Sequence, residues 1–361
     1  MTSGTPVRPF GLTQGLFRRL AATAGTILIS VGVIGCSQSA PTSTVENSQI
    51  LVDQFGYRPQ DPKVAVVIGH PDGAQPYELR DAQTQQVVET LTPVKWQNGA
   101  VHTQSGERAW WVNFSNIENP GTYVLVRQDE ETRSAEFEIR SDVYRDVLIA
   151  ATRMFFYQRS GFAKQEPFAD ARWADGAAYI GPDQDSEARY IYDKINPASV
   201  RDMQGGWFDA GDTNKYVTLA LQPVHQLLSA YGQNPEIWTD DFNIPESGYG
   251  IPDLLDEIKC ELEWLTRMLD DDGGAFIKLG QLDYDPPSPI PSEDTRPRYY
   301  GPKCSSSTIA IASMFAHAAV EMRSIPEQRA YADELSARAV SAWNRYQRLP
   351  IDTDSDKGEI K

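Results

Sequence analysis

Near Arg140 the hydrophobic period of this chain changes, and a change of period divides it into two differently built modules. From Ile50 to about Ile139, short apolar runs alternate with turn residues such as Asn98-Gly99 and Pro120-Gly121. Lys63–Ile68, Ala109–Phe114, Thr122–Val126 and Ala135–Ile139 read as the clearest strands. In the last, Ala135, Phe137 and Ile139 alternate with Glu136 and Glu138, the spacing of a half-buried strand. Such a stretch suits a small β-sandwich. Beyond Arg140 the spacing is helical. Val143, Val147, Ala151, Met154 and Phe155 mark one face, and Tyr216 to Tyr231 a second helix with a kink expected at Pro223. Ile251, Leu254, Leu255, Ile258, Leu262, Leu265 and Leu269 mark a third. Thr308–Met322, apolar almost all round and capped by Cys304–Ser307, marks a fourth that must be buried on most sides. Tyr331, Leu335, Ala339, Ala342, Trp343 and Tyr346 mark a fifth. Long loops separate these helices, so the second module is all-α with room for a site between elements.

The beginning of the chain reads as a targeting segment. Arg8, Arg18 and Arg19 precede an apolar stretch, Leu20 to Gly35, too short for a comfortable membrane span. It ends Val33-Ile34-Gly35-Cys36, which resembles the lipobox of bacterial lipoproteins, where the cysteine thiol carries the lipid. An ordinary secretion signal containing a cysteine is the alternative. Residues 1–35 are therefore expected to be a signal peptide, with Cys36 lipidated and the protein anchored to a bacterial membrane, periplasmic or at the cell surface. The Ser-, Thr- and Pro-rich residues 36–48 read as a flexible tether. Residues 49–140 form the β-module and 141–361 the helical one. The chain carries 50 acidic against 33 basic residues, a net charge of -17. That field repels nucleic acid and leaves a neutral polymer unaffected. Three cysteines supply no disulfide framework.

Four stretches, in order, resemble glycoside hydrolase family 9. Ile50-Leu-Val-Asp-Gln-Phe-Gly-Tyr57, running on through Arg58-Pro59 to Lys63, is similar to the first strand of the immunoglobulin-like module preceding many of its catalytic domains. Tyr144 to Gly161 resembles the opening helix of the catalytic domain. Gly205-Gly-Trp-Phe-Asp-Ala-Gly-Asp-Thr-Asn-Lys-Tyr216 resembles its water-activating loop, and Ile251 to Leu265 the helix that follows. The resemblance implies an immunoglobulin-like sandwich followed by an (α/α)6 barrel of about twelve helices. Only about five are legible here, and Gly358-Glu-Ile-Lys361 looks like the start of a further family segment, so the barrel is expected to be incomplete.

By that resemblance Asp212 is the general base of an inverting hydrolysis, and Asp209 helps hold the attacking water. An inverting enzyme places two carboxyls roughly 6.5–9.5 Å apart, with the water between one of them and the sugar. Gly211 is expected to bend the backbone so that the two aspartates converge. Their repulsion, and poor solvation beside Trp207 and Phe208, should lift one pKa. The plain alternative is an aspartate capping a helix that begins near Thr213. Trp207, Tyr216, Tyr299 and Tyr300 are candidate platforms for sugar rings, with buried core as the alternative for each. Trp264 and Trp343 sit at helical spacing as core, and His225 and His317 read as structural. In the family the general acid is a glutamate near the far end of the barrel, and no matching segment is found in this sequence. The acid is therefore expected to be missing from this chain, and the chain by itself to show little or no hydrolysis. Glu257, Glu261 and Glu263 lie on a helix, where solvated-face or barrel-lining roles are expected.

No cofactor is required by this chemistry. Cys260 and Cys304 lack partners at metal-ligand spacing, and a buried free thiol is the default for each. Asp270-Asp-Asp-Gly-Gly274 could hold a structural calcium, a solvated helix-ending turn being the alternative. The expected activity is endoglucanase-like hydrolysis of β-1,4-glucan. Two rivals stand beside it: an exo-acting glycosidase or glucosaminidase on short oligosaccharides, and a non-catalytic carbohydrate-binding lipoprotein. The partner in each is a β-linked polysaccharide or oligosaccharide.

Overall fold

The computed structural model describes residues 50–68, 75–128, 132–283, 290–348 and 351. The leader, Cys36, the tether and Gly358–Lys361 lie outside these residues. The β-module consists of β1 (Ile50–Leu51), β2 (Val64–Ile68), β3 (Tyr77–Asp81), β4 (Val87–Leu91), β5 (Val94–Lys95), β6 (Ala109–Asn113), β7 (Gly121–Arg127) and β8 (Phe137–Ile139). They pair antiparallel into two four-stranded sheets, ordered β1-β2-β6-β5 and β4-β3-β7-β8. Alternate residues face one shared core: Ala65 and Val67 from β2, Trp110 and Val112 from β6, Tyr77 and Leu79 from β3, Leu125 from β7. Asn98-Gly99 does turn the chain, with Gln97, Asn98 and Gly99 all in the left-handed region. The last strand is shorter than its alternation predicts. The Ser134 amide still donates to the Leu125 carbonyl at 2.9 Å, but Ser134 Oγ, not a backbone carbonyl, takes the Leu125 amide, and regular pairing starts only at Phe137.

The passage out of the sheets is tight. Tyr57 N–H donates to the Glu138 carbonyl at 2.8 Å and Arg140 N–H to the Tyr57 carbonyl at 3.0 Å. At Gly56 (φ +97°) a Cβ would stand 2.4 Å from the Glu138 oxygen and 2.6 Å from Val143 Cγ2. Only glycine meets both demands. Tyr144 then donates its hydroxyl to the Gly56 carbonyl at 3.0 Å and to Asp53 at 3.2 Å.

The described residues hold five α-helices: α1 (Arg145–Gln158), α2 (Val217–Gln233), α3 (Asp253–Met268), α4 (Ser305–Met322) and α5 (Arg329–Arg348). α5 folds back on α4, α4 packs against α2, and α2 against α3. The 3.6-residue stripe of α3 is buried as the spacing predicts, through Leu254, Leu255, Ile258, Leu262 and Leu265. α2 continues as one helix across Pro223. α4 starts three residues before the predicted Thr308, because Ser307 and Thr308 hydroxyls bond the Cys304 carbonyl within the first turn. Trp264 is fully buried, but Trp343 is 46% exposed and stacks on Tyr346, so it is not core. His225 and His317 do pair, Nδ1 to Nδ1, at 2.8 Å, and His225 also meets Ser313.

Short strands organise the loops. β9 (Arg189–Tyr190), β10 (Lys215–Tyr216), β12 (Lys278–Gly280) and β13 (Tyr299–Tyr300) make one sheet in the order β10-β12-β13-β9. β11 (Ala275–Phe276) pairs with β14 (Lys303–Cys304). The carboxylates of Asp270 and Asp272 are taken by cationic side chains: Lys303 lies 2.7 and 2.9 Å from them, Arg201 2.9 Å from Asp270. Among the described residues no group of three or more His, Cys, Asp or Glu could hold a metal ion. Cys260 and Cys304 are free, and burial pushes the Cys260 thiol up to about 12.

Candidate active site

The loop from Gly205 to Tyr216 is held from below, through buried polar groups, and presents its acids above. Its entry passes over Trp264: at Gly206 (φ +73°) a Cβ would stand 2.7 Å from the Trp264 ring. The Trp207 amide donates to Glu261 Oε2 at 2.6 Å, and its indole Nε1 to Glu257 Oε1 at 2.8 Å. Glu257 and Glu261 are 0% and 1% exposed, so the solvated-face reading of these two does not hold. Arg159 supplies Glu257 with two bonds of 3.0 Å. The Phe208 amide donates to the Gln158 carbonyl at the end of α1, 2.8 Å away.

Where the loop leaves, a second buried set takes over. Asp185 receives Lys215 Nζ at 2.7 Å, Arg298 Nε at 2.9 Å and Ser160 Oγ at 2.9 Å. Lys215 also donates to the Gly205 carbonyl at 2.6 Å, and Arg298 to the Thr213 carbonyl at 3.0 Å. One carboxylate and two cations thus close both ends of the same loop. Burial works to raise the Asp185 carboxyl, but Lys215 and Arg298 outweigh it and hold it below the ordinary value. The Arg298 guanidinium also stacks 4.0 Å from the centre of the Tyr179 ring. Tyr179 in turn bonds Thr213, Asp294 and Gln281.

Between these anchors sit the two predicted acids. The tight bend is not at Gly211, where an added Cβ would meet nothing within 4 Å; it is at Thr213, whose φ is +58°. Arg298 on its carbonyl and Tyr179 on its hydroxyl hold Thr213 in that unusual conformation. Asp212 is half-buried, and its carboxylate accepts the Asn214 amide at 3.2 Å and Asn214 Nδ2 at 3.3 Å. It does not cap α2, whose N-terminal residue is flanked by Tyr216 without a side-chain cap. Asp209 is exposed on a groove of about 180 Å³ that Trp207, Phe208, Tyr216, Phe155 and Glu261 also line. Partial burial, and then the charge of Asp212, raise its carboxyl. That one of the two carboxyls is lifted is as the sequence suggests.

The candidate aromatic platforms separate. Trp207 and Tyr216 line the groove, although Trp207 is largely buried, its ring against Phe155 at 4.7 Å. Tyr300 is only 4% exposed: its hydroxyl donates to the Ser199 carbonyl and its ring packs on Phe276, so it presents no face to a sugar. Its neighbour Tyr299 is half-buried on β13, between β12 and β9. Burial in the α-helical layer raises the Glu261 carboxyl to about 8. The unfolded chain loses that proton near the model-compound value of 4.5, so the contribution of Glu261 to stability is greatest below that pH. It should fall as pH rises from about 4.5 to about 8, and level off above. Glu261→Gln, which keeps an oxygen for the Trp207 amide, is expected to flatten that decline in melting temperature across a pH series. An unchanged slope would show that Glu261 is ionised in the folded state.

A model of the family described as "Glycosyl hydrolase family 9" matches residues 144–360, and one described as "Cellulase N-terminal ig-like domain" matches residues 45–132. The chain belongs to glycosyl hydrolase family 9. Among curated family relatives, a cellulose 1,4-beta-cellobiosidase of Acetivibrio thermocellus is 27% identical over 300 residues, covering 75% of this chain and 33% of its own. A xyloglucan-specific endo-beta-1,4-glucanase of Bacteroides ovatus is 30% identical over 266 residues, covering 70% of this chain and 41% of its own. The crystal structure of a metagenome-derived family 9 endoglucanase superposes with a TM-score of 0.72 at 33% identity, over 85% of this chain and 56% of that one. The chain therefore spans well under two thirds of the length of each. Its strands β1 to β7 fall within the match to the immunoglobulin-like model, and its helices fall within the match to the family 9 model.

Proposed function

We propose that this family 9 chain acts on β-1,4-glucan, cutting it internally by a single displacement that inverts the anomeric carbon. The observation that carries this reading is the pair Asp209 and Asp212 on one rigidly held loop, coupled in charge, with Asp209 open to an aromatic-lined groove. Asp212 is the general base and Asp209 helps to fix the water. Asp212 suits the base because its carboxylate is oriented by Asn214. The names borne by the relatives, a cellobiosidase and a xyloglucan-specific endoglucanase, support β-1,4-glucans as the substrate class. The helical module belongs, in this reading, to an (α/α)6 barrel whose groove runs over the Asp209 loop. The leaving oxygen needs a second carboxyl as proton donor, and none of the described residues is assigned to it. The lipid anchor at Cys36, and with it a periplasmic or cell-surface location, rests on the sequence from Arg8 to Cys36.

Inversion is tested by proton NMR during cleavage of cellopentaose. The new reducing end should appear first as the α-anomer and then mutarotate. First appearance of the β-anomer would mean a double displacement and would remove Asp212 from the role of base.

A further inference from the structure

The two sheets of the β-module share a core but differ on their outer faces. In the sheet ordered β4-β3-β7-β8 the outward positions carry charge: Glu78 and Arg80 of β3 pair at 2.6 Å, and Glu138 stands exposed on β8. The strands of the other sheet, Ile50–Leu51, Val64–Ile68, Val94–Lys95 and Ala109–Asn113, contain a single charged residue, Lys95. Lys95 stands opposite Trp110, which belongs to the core, and so lies out of the outward register. That register is apolar across the full width of the sheet. Leu51 stands beside Val66, Val66 beside Trp111, and Trp111 beside Val94, one residue from each strand in a continuous row. Leu51 and Trp111 are each 48% exposed and Val94 62%. Val64 and Ile68 of β2 and Ala109 of β6, all half-buried, flank the row. In a chain of which 23% is charged, an uncharged apolar face of this width marks a contact surface.

What meets this face follows from where the chain enters it. β1 is an edge strand of the sheet, and the sequence before it runs back to Cys36, about a dozen residues upstream. A Ser-, Thr- and Pro-rich segment of that length spans about 20 Å on average. Four strands side by side are about 15 Å wide. A lipid on Cys36 would thus keep a bilayer within reach of this sheet. Tryptophan favours the boundary between lipid and water, and the leucine and valines beside Trp111 gain by burial there. Charge sorts the faces in the same sense. The chain carries -17 overall and is repelled by anionic head groups, whereas the strands of this sheet hold no acidic residue. We propose that the outer face of the β1-β2-β6-β5 sheet docks on the surface of the bilayer that holds Cys36, with Trp111 at the interface. This rests on the reading of Cys36 as lipidated. A tether by itself limits only distance; a docked sheet also fixes how the helical module is turned toward the membrane.

The test places the full chain, lipidated at Cys36, on phosphatidylcholine vesicles whose acyl chains carry bromine, a short-range quencher of indole emission. Relative to unbrominated vesicles the emission should fall by about one eighth, the share of Trp111 among 8 tryptophans. Trp111→Phe, which keeps the face apolar, should abolish that fall. Val94→Glu, on the other edge strand, should abolish it too, while the protein still floats with the vesicles. Flotation without quenching would overturn the docking and leave the anchor standing. Quenching that survives Trp111→Phe or Val94→Glu would show that another face meets the lipid, and overturns the proposal as well. Dimers in sedimentation that Val94→Glu dissolves, with no quenching, would assign the face to a second copy of the chain instead. Failure of the parent chain to float would overturn the lipid on Cys36 and the docking together.

Discussion

Asp212→Asn is expected to lower kcat on a soluble β-1,4-glucan by about 10²- to 10⁴-fold, the usual worth of a positioned base, with KM nearly unchanged. The substitution is close to isosteric, and the asparagine oxygen can still accept the Asn214 amide that now meets Asp212 at 3.2 Å. The loop should therefore keep its shape while losing the only charge in that position. Parallel binding of substrate and a melting temperature within about 2 °C of the parent would confirm that the loss is chemical. Turnover at the parent rate would end the assignment of Asp212 as base. A large rise in KM with kcat preserved would make it a binding residue instead.

Asp185→Asn is expected to be the most damaging substitution to the fold. Asp185 is 1% exposed and is the one carboxylate between Lys215 and Arg298, both 0% exposed. Neutralising it leaves two cations buried without their counter-charge, and breaking such a set costs about 3–5 kcal/mol. In melting temperature that is a fall on the order of 10 °C. Lys215→Met should be milder, because Asp185 keeps Arg298 at 2.9 Å and the methionine fills the stem's volume. Thermal melts of the two variants give the ordering directly. A larger loss for Lys215→Met than for Asp185→Asn would show that the bonds from Lys215 to the loop carbonyls matter more than charge balance.

The parts of this molecule legible in sequence are those whose signal is local. The stripe on α3 repeats within sixteen residues, so burial of Leu254 to Leu265 follows from spacing alone. The acids of the Gly205–Tyr216 loop sit three apart and could be named together. What holds them could not. Asp185 meets Arg298 across 113 residues and Lys215 across 30, and no periodic pattern encodes a contact of that span. Glu257 and Glu261 were visible as helix residues, yet their burial depends on Arg159, 98 residues from Glu257, and on the Trp207 backbone. Glycine is the usual carrier of unusual torsions, so the sequence points to Gly211 for the bend. Thr213 carries it here because Arg298 and Tyr179, both distant in sequence, fix its carbonyl and hydroxyl. Tyr300 takes the buried alternative for a similar reason: an aromatic in a loop looks available until its strand is paired on both sides.

The seat of α1 on the β-module has a mechanical consequence. Gly56 and Tyr144 clamp the helix at its first turn, and the carbonyl of Gln158 grips the Phe208 amide at its last. Fourteen helical residues make a rod of about 21 Å with little give along its axis. The front module and the residue that neighbours Asp209 are thus joined through a single helix, by one contact at each of its ends. The sandwich, through α1, gives the Gly205–Tyr216 loop one of its fixed seats.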